Sequence, residues 1–218
     1  MKVHTDFEQQ SEEWFALKLG KISASSFHKL LGTPAARNRY LCQKASERHT
    51  GKRSDSSGYS NYHMQRGNLY EEAAREAYKE ETFYEVQKVG LITLNDDVVC
   101  SPDGLVNGDG LIEIKIHDSD IYFENVEFLD EKGKDIIMKL YKLYYTQTQV
   151  NLYISGRSWC DYVLYNPTHA AVGTGIHICR IEKDMVYMDT IKLAIEEAVK
   201  EINQKAINFK KIFDKKKK

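Results

Sequence analysis

Asp103, Glu113 and Lys115 fall within one short stretch, "CSPDGLVNGDGLIEIKI", that is otherwise aliphatic or turn-forming. Leu105 and Val106 precede an Asn-Gly-Asp-Gly cluster, and Leu111, Ile112, Ile114 and Ile116 follow it, the pattern of strand, turn, strand. Side chains alternate along a strand, so Ile112, Ile114 and Ile116 share a core face. Glu113 and Lys115 project together from the other, about 6.6 Å apart at a rise of roughly 3.3 Å per residue. Whether Asp103 joins them is a matter of register. A two-residue turn at Gly108 and Asp109 sets Asp103 opposite Ile114, on the wrong face, whereas an odd-numbered loop or a bulge sets it opposite Glu113. The odd loop is the expectation, with Pro102 marking an edge or a break in the alternation.

Two carboxylates converging from adjacent strands repel unless something positive lies between them, and a hard cation suits oxygen ligands. Magnesium takes one or two protein carboxylates and keeps several waters, leaving room for phosphate oxygens and an attacking water. Lys115, one pleat from Glu113, is placed to position or deprotonate that water and to offset charge developing on a phosphate. An exposed amphipathic hairpin with solvated Glu and Lys side chains would carry the same residues, and this stretch alone does not separate the two readings.

The elements that must hold the hairpin surround it in the chain. Ser11 caps a helix carrying Trp14, Phe15, Leu17 and Leu19 that Gly20 ends, and Ser23 or Ser25 caps a second one ending at Gly32. The free N–H groups of that second start, with the serine hydroxyls, Lys18 and Lys21, offer either an anion site or plain capping. Residues 50–62, polar and rich in Gly and Ser, read as a mobile loop. A helix follows over "MQRGNLYEEAAREAYKEE", where Leu69, Tyr70, Ala73, Ala74, Ala77 and Tyr78 fill one half of the wheel. Glu71 lies about 20° beyond one edge of that stripe and Glu72 about 60° beyond the other, so Glu71 is the acid placed to reach inward. Val86–Thr93 reads as a first strand, Asp118–Asp135 as an acidic helix or loop, and Asp135–Gly156 as a long helix with Gln149 and Tyr153 one turn apart. "SWCDYVLYNP" and "GIHICRIE" are strands, and Asp184–Phe213 is a closing amphipathic helix. The sum is a mixed α/β or α+β domain with a small central mixed sheet flanked by helices.

A length of 218 residues with 42% hydrophobic content describes a single folded domain over 1–218. No apolar run has transmembrane length, and "MKVHTDFEQQ" lacks the apolar centre of a signal peptide, so the expectation is a cytoplasmic protein without a membrane role. Cys42, Cys100, Cys160 and Cys179 are scattered without zinc spacing and read as reduced thiols. A formal net charge of -1 excludes coating of nucleic acid by overall basicity, so any DNA contact must be local. The lysines of 214–218 read as a solvated basic tail.

Taken in order, "WFALKLGKISASSFHKLL", "RGNLYEEAAREAY", "VCSPDGL" with "GLIEIK", "TQTQVNLY" and "YVLYNP" resemble the PD-(D/E)xK nuclease superfamily, and within it the phage lambda exonuclease or YqaJ-type viral recombinase family. The resemblance covers most of the chain and implies a restriction-endonuclease-like core. It implies that Asp103 and Glu113, with the main-chain carbonyl of Ile114, hold two magnesium ions, with manganese as a substitute. Glu71 would bind or orient the second ion through water, and Lys115 would act on the nucleophilic water. Gln149 matches the family's helix glutamine near the site, with Gln147 as a second. Lys18, Ser25 and Ser101 match the positions that receive a 5′-phosphate. Lys18 stands where lambda exonuclease has an arginine, which keeps the charge and loses the bidentate fork. The implied activity is magnesium-dependent digestion of one strand of duplex DNA from the 5′ end to mononucleotides, leaving 3′ tails for phage-type recombination. A homotrimeric ring, a single-strand annealing partner and a phage or prophage setting in a bacterial cytoplasm come with it. A restriction-type or structure-specific endonuclease and a non-catalytic DNA-binding module are the rivals. The intact acid, acid, lysine set argues against the module.

Overall fold

The computed structural model describes residues 1–54, 62–132 and 142–215. The loop expected at 50–62 and the tail at 214–218 lie largely outside these residues, as does the start of the helix expected from Asp135. The described strands form two sheets where the sequence predicts one. In the first, β1 (Lys2–His4), β4 (Leu91–Thr93), β5 (Val98–Cys100) and β2 (Ile22–Ser23) lie in the order β1-β4-β5-β2. In the second, β3 (Val86–Gln87), β6 (Gly104–Val106), β7 (Gly110–Ile116), β8 (Trp159–Tyr165) and β9 (Ile176–Glu182) are neighbours in chain order. The single strand predicted over Val86–Thr93 is therefore divided. At the break, a Cβ on Gly90 would stand 2.4 Å from the Phe7 carbonyl oxygen, so only glycine lets the N-terminal segment pass this close.

Helix ends follow the sequence closely where capping chemistry is local. The Ser11 side chain accepts from the Trp14 N–H at 3.2 Å and starts α1 (Glu12–Lys18), and Gly20 turns the chain at φ 69. The second predicted helix shrinks to a 3-10 turn, Ala24–Lys29, in which Ser23 makes no side-chain cap. A helix the periodicity does not predict, α2 (Pro34–Thr50), carries a full set of terminal signals: Thr33 accepting from Ala36, Pro34 at its start and Gly51 left-handed after its end.

In the second sheet β7 and β8 run parallel, and the crossover between them passes through α4 (Ser119–Lys132) and α5 (Lys142–Ser155). Helix α3 (Tyr62–Thr82) covers one face, packing Ala74 and Tyr78 with Val106, Ile112, Ile114 and Val163. The opposite face brings Leu111 and Cys160 into the larger core with Val150, Leu152 and Ile154 of α5. Burial on both faces explains the aliphatic residues on both sides of β7 and makes Glu113 an exception among them. After α6 (Pro167–Ala170), the long α7 (Met185–Lys215) packs Ile191, Ile195, Ala198 and Ile202 into the same core as Leu41 and Ala45 of α2. Each isoleucine or leucine among these contributes about 1.5–3 kcal/mol by leaving water.

The β6–β7 hairpin pairs Gly104 with Ile112, Leu105 with Leu111 and Val106 with Gly110. Its loop is thus Asn107, Gly108 and Asp109, the odd-numbered loop that the sequence favours. Asp103 lies just before the paired residues, with its N–H donating to the Ile112 carbonyl at 3.1 Å and its carboxylate accepting the Ile114 N–H, so it brackets Glu113. Asn107 takes the left-handed conformation (φ 47), which asparagine tolerates better than most residues. The start of β8 clasps the loop. Arg157 Nη1 donates to the carbonyls of Val106 (3.1 Å), Asn107 (3.3 Å) and Gly110 (2.7 Å), and Trp159 Nε1 donates to Asp109 at 3.2 Å. A Cβ on Gly110 would stand 2.1 Å from the Trp159 ring. Gly110→Ala should therefore cost about 1–3 kcal/mol of stability. Urea unfolding checks this, and an unchanged midpoint would contradict so tight a fit.

Candidate active site

Glu113 is a carboxylate inside the molecule, with 2% of its side chain exposed, and it survives there because both oxygens are bonded. Lys115 Nζ and Gln147 Nε2 each donate to Oε1 at 2.5 Å, and Asn151 Nδ2 donates to Oε2 at 2.9 Å. Gln147 and Asn151 are one turn apart on α5, so a single helix face serves the acid. Asp103 Oδ2 accepts the Ile114 N–H at 2.6 Å, which ties the two strands together beside Glu113. Burial works against the charge on Lys115, but Glu113 and Asp103 outweigh it and hold the ammonium above its ordinary range. Lys115 is thus a fixed cation, with the Tyr144 ring 5.1 Å from its nitrogen.

Asp103 is shifted upward too, which for a carboxyl disfavours the charge. Burial first, and then the charges of Glu113 and Glu71, push its carboxyl well above the usual carboxylate range. Glu71 is brought close because the buried face of α3 is rotated from the predicted one. Tyr70, Ala74, Ala77 and Tyr78 face inward as expected, but Leu69 and Ala73 are exposed and Arg75 is buried in their place. The rotation moves Glu71 from the edge of the stripe onto it. Glu72 remains outside, paired with Lys88 and Arg75.

Two adjoining cavities of about 660 and 560 Å³ share Asn68, Glu71 and Asp103. One runs under Thr5–Gln10 past Arg75 and Lys88; the other is lined by Ile114, Lys115, His117, Ile121 and Tyr144. The Asp103 carboxyl and the segment around Ile114 thus open onto a groove of substrate size. Among the described residues no three His, Cys, Asp or Glu side chains close tightly enough to hold a metal by themselves. A cation that keeps its waters and takes few carboxylates suits the set better. Burial and then the neighbouring carboxylates raise Asp103, and a divalent cation would offset that charge, so the chemistry of Asp103, Glu113, Glu71 and the Ile114 carbonyl, all oxygen donors, fits a hard divalent ion.

The remaining predicted residues divide. Gln149 is fully buried and turned away: its Nε2 donates to the Glu182 carbonyl and its oxygen accepts the Asp184 N–H, so it braces the β9–α7 junction and Gln147 is the glutamine at the site. The two lie two positions apart on a helix, on nearly opposite faces. Lys18 and Ser101 meet through Trp14, whose indole donates to Ser101 at 3.0 Å and whose ring lies 3.6 Å from Lys18 Nζ. Burial, and next the charge of Lys44, lower Lys18 to about 7. Ser101 gives its own proton to the Gly90 carbonyl at 2.6 Å. Ser25 is exposed on the 3-10 turn, and the helix start expected to bind an anion is only that turn. Asn151, Arg75 and Tyr144 join the site without having been predicted. Asn151 carried a signal in its spacing of four from Gln147, whereas nothing local marks Arg75 as buried.

Residues 13–158 match the YqaJ-like viral recombinase domain family. Among solved structures, the alkaline exonuclease LHK-Exo from Laribacter hongkongensis superposes with a TM-score of 0.81 at 31% identity, covering 94% of this chain and 99% of that one. The same enzyme in complex with dAMP superposes with a TM-score of 0.81 at 32% identity over the same shares. A phage-related exonuclease from Haemophilus somnus 129PT has the same fold, with a TM-score of 0.66 at 18% identity over 84% of this chain and 94% of that one. No curated protein matches the chain.

A raised carboxyl pKa in the folded state means that the fold loses stability as pH climbs from the ordinary carboxylate value, about 4, through the raised one. In cation-free protein, Asp103→Asn should therefore raise the melting temperature at neutral pH, with the gain disappearing toward pH 4. A variant less stable than the parent at pH 7 would contradict the charge crowding.

Proposed function

Because the chain belongs to the YqaJ-like viral recombinase domain family and has the fold of a nuclease, we propose that it is a magnesium-dependent exonuclease of duplex DNA. It would degrade one strand from the 5′ end to mononucleotides and leave 3′ tails for recombination. The observation that carries the reading is the hairpin register, with a three-residue loop and Asp103 tied to the Ile114 N–H between Glu113 and Lys115, so that Asp103 and Lys115 line one groove. The related LHK-Exo in complex with dAMP is consistent with a mononucleotide product.

Asp103, Glu113 and the Ile114 carbonyl would hold the cation, with Glu71 facing them from α3. When bound, magnesium supplies Lewis acidity that activates water and offsets charge on the phosphate. The protein's own contributions are positional and electrostatic. Lys115, kept protonated, can orient the attacking water and stabilise charge on the phosphate oxygens, and it is not poised to remove a proton in this state. Gln147 and Asn151 hold Glu113 to one rotamer, leaving Lys115 a fixed partner. Lys18, lowered to about 7 by burial and then by the charge of Lys44, would regain its charge on meeting an anion, which supports a 5′-phosphate site shared with Ser101. A homotrimeric ring around the duplex would reconcile processive digestion with a monomer of net charge -1, and an annealing protein would receive the 3′ tail. The cytoplasm of a bacterium carrying a phage or prophage is the setting this implies.

Digestion of a linear duplex with 5′-phosphate or 5′-hydroxyl ends, beside a closed circle, tests the proposal. Early mononucleotide release from the 5′-phosphorylated end is expected, with the circle spared and chelator stopping the reaction. Cutting of the circle would favour an endonuclease. Parent-like cleavage by Asp103→Ala would remove the basis of the assignment.

A further inference from the structure

Arg75 is a buried cation, with 5% of its side chain exposed, although the helix wheel assigns it to the outer face. Its guanidinium reaches acceptors on two separate elements. Nη2 meets Glu71 Oε1 at 2.6 Å and Nη1 meets Glu72 Oε2 at 2.5 Å, both on α3. Nε and Nη2 also donate to the main-chain carbonyl of Asp103 at 3.3 and 3.1 Å, across the groove wall. Glu72 is braced in turn by Lys88.

An exposed helix pair four residues apart adds only about 0.3–0.5 kcal/mol and fixes nothing beyond its own helix. Arg75 differs in being buried and in reaching a residue 28 positions away. One planar fork sets the helix that carries Glu71 against the turn that carries Asp103. The side chain of Asp103 is at the same time tied to the Ile114 N–H, so the guanidinium closes a chain of bonds from Glu71 through Asp103 to β7. A lysine could neutralise one acid from this position but could not span three acceptors, because its charge is a single point on a flexible stem.

We propose that Arg75 is a positioning residue that holds Glu71 and Asp103 in the relation a divalent cation requires, acting through these two acids. The inference rests on the nuclease reading of the site. Its test uses purified Arg75→Lys, Glu71→Gln, the double variant and Asp103→Ala. Two quantities are followed: the rise in melting temperature with Mn2+ in the absence of DNA, and the cleavage rate against Mn2+ concentration. Loss of a group that orients metal ligands weakens metal affinity roughly 10- to 100-fold. Arg75→Lys should need that much more Mn2+ for half of either response, with the KM for DNA little changed, and the shift should shrink when Glu71 is already glutamine. Parent-like Mn2+ dependence in Arg75→Lys would overturn the inference, as would an effect of the same size with and without the Glu71 carboxylate. If Arg75→Lys does not fold, Glu72→Gln, which frees one arm of the fork, should still raise the Mn2+ requirement several-fold, and a parent-like value would overturn the inference. Asp103→Ala separates the two claims. Cleavage that persists in it defeats the nuclease reading whatever Arg75 does, whereas its inactivity beside a parent-like Arg75→Lys defeats only the role given to Arg75.

Discussion

The three-residue loop between β6 and β7 is the constraint from which the site follows. Side chains alternate along a strand, so removing one residue from Asn107–Asp109 would slip the register and turn Asp103 toward the aliphatic face of Ile112 and Ile114. The loop is held from outside by Arg157 on three carbonyls and by Trp159 on Asp109. β8 pairs with β7 along its whole length, so the element that clasps the loop also fixes the strand carrying Glu113 and Lys115. The geometry of the acids is thereby settled by backbone pairing before any side chain of the site is considered.

That backbone delivers more negative charge than the interior accommodates easily. Asp103 and Glu71 line one groove with Glu113 buried beside Asp103, and the protein answers with the buried Arg75, the half-buried Lys115 and two amides. Lys115 and the pair Gln147 and Asn151 satisfy Glu113; Arg75 satisfies Glu71 and the Asp103 carbonyl. Asp103 is left with the Ile114 N–H and an elevated pKa. On the proposed reading, a divalent cation would relieve the burial and crowding that burden this carboxyl, so stability and function would pull against each other there.

The hairpin was legible because strand alternation, the Asn-Gly-Asp-Gly turn and the acid positions are local facts that agree with one another. Glu71 was legible for a weaker reason, since the true buried face of α3 is rotated toward it by the burial of Arg75, a charged residue that no hydrophobic pattern would place inside. Gln147 and Gln149 illustrate the limit. "TQTQ" offers a glutamine to either side of a helix, and only the packing of α5 against β7 and β9 decides which one meets Glu113. The division of Val86–Thr93 between two sheets is likewise set by Phe7, more than 80 residues away, pressing on Gly90. Helix α2 was marked by its caps, yet it carries little apolar periodicity because charged Lys44 and Glu47 are buried as a pair inside its packed face.

The most direct measurement is crystallographic: crystals soaked in Mn2+, with anomalous scattering used to locate the ion. The geometry predicts a peak between the carboxylates of Asp103 and Glu113, within coordinating distance of the Ile114 carbonyl, and its loss in Asp103→Ala. A well-occupied manganese elsewhere, with no density between these two acids, would contradict the central claim that the hairpin register builds a cation site for phosphodiester hydrolysis.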